Sequence, residues 1–382
     1  MIYFDNAATT YPKPLSVIDA VKNSMIYYGA NPGRSGHDFS VKTATVVFET
    51  REALNCFFNG DGAEYVCFTQ NCTQALNTAI KGFLRRGDHV VISSLEHNSV
   101  VRPLEEMRSQ KIIDYSVFSV EEDKEATLKN FRESFTEKTR LCVITAVSNV
   151  FGDVLPLKEL SEIAHSRGAA FFVDGAQGAG VVPLDMKKQG IDCLCIPGHK
   201  GLLGPMGIGA LLHKNIDFEP LVCGGTGSES FNLLQPQAYP ERLESGTLNV
   251  PGICGLKQGL KVVEAKGVEN ILKVEKEICD DIVHGLEKIE NVKVYRGTGG
   301  EKQYAPLVSI NVGSLHSETV AAVLNKSGIA VRGGYHCAPL AHISRGTKTT
   351  GTVRISPSFF NCKKDIKNLL ILIRKIAFKE FI

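Results

Sequence analysis

Two short stretches carry side chains whose chemistry is complementary. They are Val173-Asp174-Gly175-Ala176-Gln177 and Gly198-His199-Lys200, with Lys200 26 positions after Asp174. Each ends an apolar, β-branched or aromatic run (residues 170–173 and 193–196) of the kind that forms a buried strand. In one open α/β sheet the acid and the lysine then emerge at the same edge, the carboxyl ends of the strands, where such sheets bind ligands. An Asp and a Lys so placed suit pyridoxal 5'-phosphate (PLP). The lysine forms a Schiff base with the aldehyde, and the carboxylate keeps the pyridine nitrogen protonated so that the ring accepts electrons.

Other polar turns follow strand-like runs. In Phe68-Thr-Gln-Asn-Cys72-Thr73-Gln74 a strand ends and a helix begins near Thr73, so unpaired helix amides offer a phosphate site; an ordinary capped helix start is the plainer alternative. His97, in Glu96-His97-Asn98, is set to stack on a flat cofactor or simply to cap a helix from Asn98. Asn149, after the run 140–147, offers an amide to a cofactor or substrate, or is a turn asparagine before Gly152.

Strand-like runs at residues 65–69, 89–93, 112–118, 140–147, 170–174, 192–197 and 208–213 alternate with amphipathic helical runs such as 73–83 and 157–167. Alternation of this kind predicts an α/β fold with a mostly parallel seven-stranded sheet covered on both faces. Beyond residue 250 the pattern changes to helices at 251–265 and 268–289, strands at 292–295, 307–312 and 353–357, and helices at 318–326 and 364–376. We therefore expect a large domain over residues 13–250 and a smaller C-terminal α/β domain over 251–382, with residues 1–12 packed on the latter.

The 43 basic and 41 acidic residues form no block or stripe, which argues against nucleic acid or an anionic membrane as partner. The start Met1-Ile-Tyr-Phe-Asp5 lacks the features of a signal peptide, and the run 369–373 is too short to span a bilayer, so a cytoplasmic location is expected. The 11 cysteines contain no CxxC pair and are expected to be free thiols without a metal site.

Taken in order, TQNCTQALN, EHNS, SNVFG, VDGAQ, GHKGLLGPMGIG, LESGTLN and RGGYHCAP resemble the class V branch of fold-type I PLP enzymes, and within it the cysteine desulfurases. With Asp5-Asn-Ala-Ala-Thr-Thr10 and Arg354 the resemblance spans nearly the whole chain. It implies the PLP-dependent transferase fold type I, and it implies roles residue by residue. Lys200 would hold the cofactor and move protons at Cα. Asp174 would pair with the ring nitrogen, Gln177 would bond the phenolate oxygen, and His97 would stack on the ring. Cys72, Thr73 and His199 would hold the phosphate, with Thr247 reaching the phosphate of the partner subunit in a homodimer. Arg354, with Arg332 and Asn149, would bind the substrate carboxylate. Cys337 would be the nucleophile that takes sulfur from L-cysteine as a persulfide and releases L-alanine, His336 and His97 moving protons.

The short cysteine loop is similar to that of the sulfur-mobilising and selenocysteine-lyase group, so a sulfur-acceptor protein or small thiol must come to the site. Three positions depart from the family pattern: Pro197 replaces a phosphate-binding serine, Cys72 the first hydroxyl of a Thr-Thr pair, and Tyr335 one of two histidines before the nucleophile. The competing activities on this scaffold are selenocysteine lyase (with L-selenocysteine as substrate), cysteine C–S lyase and aminotransferase. A nicotinamide dehydrogenase fits poorly, because Gly175, Gly178 and Gly180 do not have the GxGxxG order and the acid precedes them.

Overall fold

The computed structural model describes residues 1–33, 36–296 and 304–378. A two-residue strand, β1 (Ile2–Tyr3), precedes the seven strands of the main sheet. These are β2 (Val66–Thr69), β3 (His89–Ser93), β4 (Asp114–Phe118), β5 (Thr139–Thr145), β6 (Ala170–Asp174), β7 (Cys193–Pro197) and β8 (Gly209–His213). They are ordered β2-β8-β7-β6-β5-β3-β4, and only β8 runs against its neighbours. The mostly parallel sheet expected from the alternation is thus present. Residues 90–92 of β3, 141–144 of β5 and 171–173 of β6 are fully buried, as strands covered by helices on both faces must be.

The helices that cover the sheet are set by their caps and apolar stripes. In Cys72–Phe83 the Asn71 side chain accepts from the Gln74 amide, and Ala75, Leu76, Ala79 and Ile80 face the sheet. Leu157–Ser166 buries Leu157, Leu160 and Ala164 and stops where Gly168 turns left-handed at φ +72°. Because β2, β3, β5, β6 and β7 point the same way, their ends deliver Cys72, His97, Asn149, Asp174 and Lys200 to one edge.

A second, antiparallel sheet is built from β9 (Val292–Tyr295), β10 (Val308–Val312), β12 (Arg332–Gly334) and β13 (Thr352–Ile355), in the order β12-β13-β10-β9. Helices Val268–Leu286, Ser317–Lys326 and Lys363–Ala377 pack on it, around Ile282, Leu286, Val308, Ile310, Leu324 and Leu369. Strand β11 (Ile329–Ala330) pairs in parallel with β1, and Phe4 is buried in this second core.

Two expectations about organisation need correction. The helix assigned to the smaller unit, Val250–Lys266, buries Val250, Ile253, Leu256 and Leu260 in the core of the main sheet. A Cβ on Gly259 would lie 2.3 Å from the Leu202 carbonyl, so glycine is what lets this helix lie directly on the turn that follows Lys200. Residues 1–12 also do not pack on the smaller unit alone, since Thr9 and Thr10 bond to the backbone at His199 and Lys200.

Candidate active site

Asp174 is 2% exposed at the end of β6. Its Oδ1 accepts the Ala176 amide at 2.8 Å, and the Cys72 thiol lies 3.5 Å away. Lys200 follows β7 in a turn tied to the N-terminal segment. The Lys200 carbonyl accepts from Thr10 Oγ1 at 2.5 Å, and the His199 carbonyl accepts from Thr10 N, Thr9 Oγ1 and Lys13 Nζ. Burial lowers the Lys200 ammonium from the ordinary 10.5 to about 8, Arg354 pushes it further down, and Asp174 opposes both.

His97 caps the helix Asn98–Ser109, and its Nδ1 accepts the Ser99 amide at 3.0 Å. A ring nitrogen that accepts an N–H carries no proton itself, so neutral His97 has its proton on Nε2. Burial holds the ring neutral, with its pKa lowered to about 4. The Ser99 hydroxyl sits 2.8 Å from both His97 Nδ1 and Thr73 Oγ1, linking the first turn of helix Cys72–Phe83 to the histidine. Capping and stacking, read from sequence as alternatives for His97, are therefore compatible. Gln177 is nearly buried and donates from Nε2 to the Ala7 carbonyl at 2.9 Å.

The second sheet supplies the guanidinium groups. Arg332 of β12 and Arg354 of β13 are direct partners across an antiparallel pair, so their side chains leave the sheet on the same face. Arg354, 1% exposed, donates from Nη1 to the Asn149 carbonyl and from Nη2 to Asp5 Oδ1, both at 2.9 Å. Both arginines lie close enough to disfavour the charged forms of Lys200 and His97.

The loop between β12 and helix Pro339–Ser344 carries the exposed Cys337. His336 and Cys337 adopt left-handed conformations, at φ +49° and +56°, that residues with a Cβ rarely take. Three contacts hold them there. Asn149 Nδ2 donates to the His336 carbonyl at 2.7 Å, the Asn98 amide donates to the Cys337 carbonyl at 2.7 Å, and His336 Nε2 lies 3.0 Å from the Thr352 carbonyl. The loop is thereby fixed on the turn that carries His97.

Two site expectations change. The Cys72 side chain points to Asp174 and to the Cys195 carbonyl at 3.3 Å rather than toward a phosphate, leaving only its backbone amide at the helix start. The His336 ring is buried against β13, with Nε2 on the Thr352 carbonyl and Nδ1 without a hydrogen-bond partner among the described residues. A carbonyl only accepts, so its Nε2 holds the proton; burial, then Arg354, drives its pKa well below 6.5 and keeps it neutral. Its visible work is to pin the loop. Thr247 is exposed and makes no side-chain hydrogen bond among the described residues.

Asp5, Thr10 and Ser99 were assigned no role from the sequence, since each is a common polar residue in a turn or short strand. Only the three-dimensional pairing of Asp5 with Arg354 marks it. Pro197 ends β7 as a buried strand residue, consistent with a position that gives no side-chain donor.

The pocket fits PLP on the protein's own donors. The first amides of helix Cys72–Phe83 lack intrahelical partners, and the buried His199 Nδ1 and Arg354 Nε have no hydrogen-bond partner in the protein. A lysine of lowered pKa, just after β7, and a buried carboxylate, at the end of the adjacent β6, share the same edge. Among the described residues no group of three or more His, Cys, Asp or Glu could hold a metal ion, and no helix is long and apolar enough to cross a membrane.

A model of the aminotransferase class-V family matches residues 2–369. A probable cysteine desulfurase of Methanothermobacter thermautotrophicus is 32% identical, over 98% of this chain and 94% of its own length. The cysteine desulfurase of Escherichia coli O157:H7 is 30% identical, over 98% and 93%. The apo structure of cysteine desulfurase from Thermococcus onnurineus NA1 superposes with a TM-score of 0.92 at 32% identity, covering 99% of this chain and 95% of that one.

Proposed function

The chain belongs to the aminotransferase class-V family, and we propose that it is a PLP-dependent cysteine desulfurase that converts L-cysteine to L-alanine and leaves the sulfur on Cys337. The observation that carries this reading is the seating of the Cys337 loop. Cys337 is exposed, and its backbone carbonyl accepts from the amide of Asn98, one residue from His97.

Bound PLP supplies an aldehyde and a ring that takes up the electrons released at Cα. Lys200 would hold the aldehyde, Asp174 would pair with the ring nitrogen, Gln177 with the phenolate oxygen, and His97 would stack on the ring. Thr73, His199 and the first amides of helix Cys72–Phe83 would hold the phosphate. Arg354 and Arg332, with Asn149 beside them, hold the carboxylate of L-cysteine, which relieves the repulsion between two like charges on adjacent strands. Lys200 removes the proton at Cα, and neutral His97, with its proton on Nε2, can donate a hydrogen bond at the substrate side. Cys337 then attacks the substrate sulfur. The C–S bond breaks, an S–S bond forms, protons return to carbon, and Cys337–S–SH and alanine remain, with no external oxidant.

The loop between β12 and helix Pro339–Ser344 is four residues long, so the sulfur stays close to where it was taken up. An acceptor protein or a small thiol collects it at the exposed position. The working form is a homodimer in which Thr247 reaches the phosphate of the other copy. Support comes from the exposure of Phe231, Leu233 and Leu234 near Thr247 in sequence, and of Met25, Ile26 and Tyr27, apolar surface that a monomer would leave in water.

The test is to incubate the purified protein with PLP, L-cysteine and a reducing thiol and to assay alanine and sulfide, for the parent and for Cys337→Ala. Equimolar alanine and sulfide from the parent, lost in Cys337→Ala with the visible chromophore retained, is the expected result. Pyruvate and ammonia in place of alanine, or full activity without Cys337, would overturn it.

A further inference from the structure

Cys72 opens the helix Cys72–Phe83 and is buried beneath the electron-sink pocket. Its sulfur lies 3.5 Å from Asp174 Oδ1 and 3.3 Å from the Cys195 carbonyl on the adjacent strand. The same carboxylate oxygen accepts the Ala176 amide at 2.8 Å. Burial, then the nearby Asp174 charge, raises the Cys72 thiol well above 9.0, so it keeps its proton and acts as a donor. That donor is weak, and its single proton is divided between two acceptors. A hydroxyl in the same place would make a charge-assisted bond about twice as strong as a neutral one and draw charge off the carboxylate.

We propose that Cys72 is a positioning residue of the desulfurase reaction, an inference that rests on the PLP reading above. Its buried S–H braces Asp174 against the sheet while leaving the carboxylate's charge for the ring nitrogen of the cofactor. The residue that departs from the usual hydroxyl pair thus acts on the electron sink and not on the phosphate. The second acceptor, Cys195, is fixed by β7 pairing with β6 directly opposite Asp174, so the thiol cannot turn away without leaving both acceptors.

The experiment compares the holoenzyme with Cys72→Ser and Cys72→Ala, reading the ring-nitrogen proton by NMR and the steady-state constants for L-cysteine. The hydroxyl of Cys72→Ser competes for Asp174, so the proton resonance moves upfield and kcat falls about three- to tenfold with KM unchanged within about twofold. Removing the donor in Cys72→Ala moves the resonance downfield. Shifts of opposite sign are not produced by a general loosening of the packing. Resonances that stay in place, or move the same way in both variants, overturn the inference. A parent protein that takes up no PLP and shows no visible chromophore overturns instead the reading on which it rests.

Discussion

Lys200 offers the most direct test of whether the pocket does what its geometry implies. Burial, followed by the repulsion of Arg354, lowers its ammonium from 10.5 to about 8. At neutral pH the uncharged fraction is then about one in ten, against about one in 3,000 for an ordinary lysine, roughly a 300-fold gain in reactive amine. The sign follows from the chemistry: only the neutral amine attacks an aldehyde, so reactivity rises with pH until the group has lost its proton. The rate of PLP uptake by the apoprotein, followed by its visible chromophore, should rise about tenfold per pH unit and level off near pH 8. Arg354→Met removes one positive charge and leaves Asp5 unpaired, and both changes favour the ammonium. The break in the profile should move up by about one unit, and uptake at neutral pH should fall about tenfold. A parent rate that climbs without a break to about pH 10, or a break that does not move in the variant, would refute the reasoning.

Two further outcomes follow from buried groups around the pocket. The Glu275 side chain accepts the Phe359 amide and is held protonated to about 8 by burial, against an ordinary value of 4.5. In that window the folded chain binds the extra proton, so stability falls as pH rises, by about 1.4 kcal/mol per unit. Glu275→Gln should remove this slope, and unfolding free energies from urea titrations at about pH 5.5 and 7.5 should diverge from the parent's by up to about 3 kcal/mol; parallel profiles would show that Glu275 holds no extra proton in the folded chain. Gly333 lies where an added Cβ would meet the Ser317 carbonyl oxygen at 2.6 Å. Gly333→Ala should force β12 off helix Ser317–Lys326, cost about 1–3 kcal/mol in stability, and raise KM for L-cysteine by displacing Arg332. An unchanged KM would mean that Arg332 does not help to hold the carboxylate.

The main sheet was legible because most of its strands are apolar runs ended by a polar turn, a pattern that depends on local sequence alone. The helices Leu15–Tyr27 and Asp38–Phe58 were not. The first turns Leu15, Ile18, Met25 and Ile26 outward, and the second buries Thr43, Thr50 and Arg51 beside Val47 and Leu54, so neither shows a clean apolar stripe. Strand β12 was missed because Arg332-Gly333-Gly334 has no β-forming residue, and pairing with β13 makes it a strand. The family motifs picked out the pocket residues one by one, but not how they are joined. That Ser99 ties Thr73 to His97, or that Asp5 takes a hydrogen bond of Arg354, follows from contacts between segments far apart in sequence. The same holds for Cys72 and His336, whose side chains point differently from the expectation because burial decides what they can face.

The N-terminal segment has a consequence for the order in which the molecule can be assembled. Asn6 Nδ2 donates to the Ser356 carbonyl, the Ala7 amide to Ser356 Oγ, and Arg354 to Asp5, across about 350 residues of chain. During synthesis, β1 and the residues after it emerge long before β11 and β13 exist to receive them. Contacts of such sequence separation carry the largest loop-closure cost and form late. The parallel sheet can gather as it is made, but the carboxylate pocket cannot close until the chain has been synthesised past Ser356. A nascent or truncated chain with a folded sheet therefore lacks the pocket around Arg354.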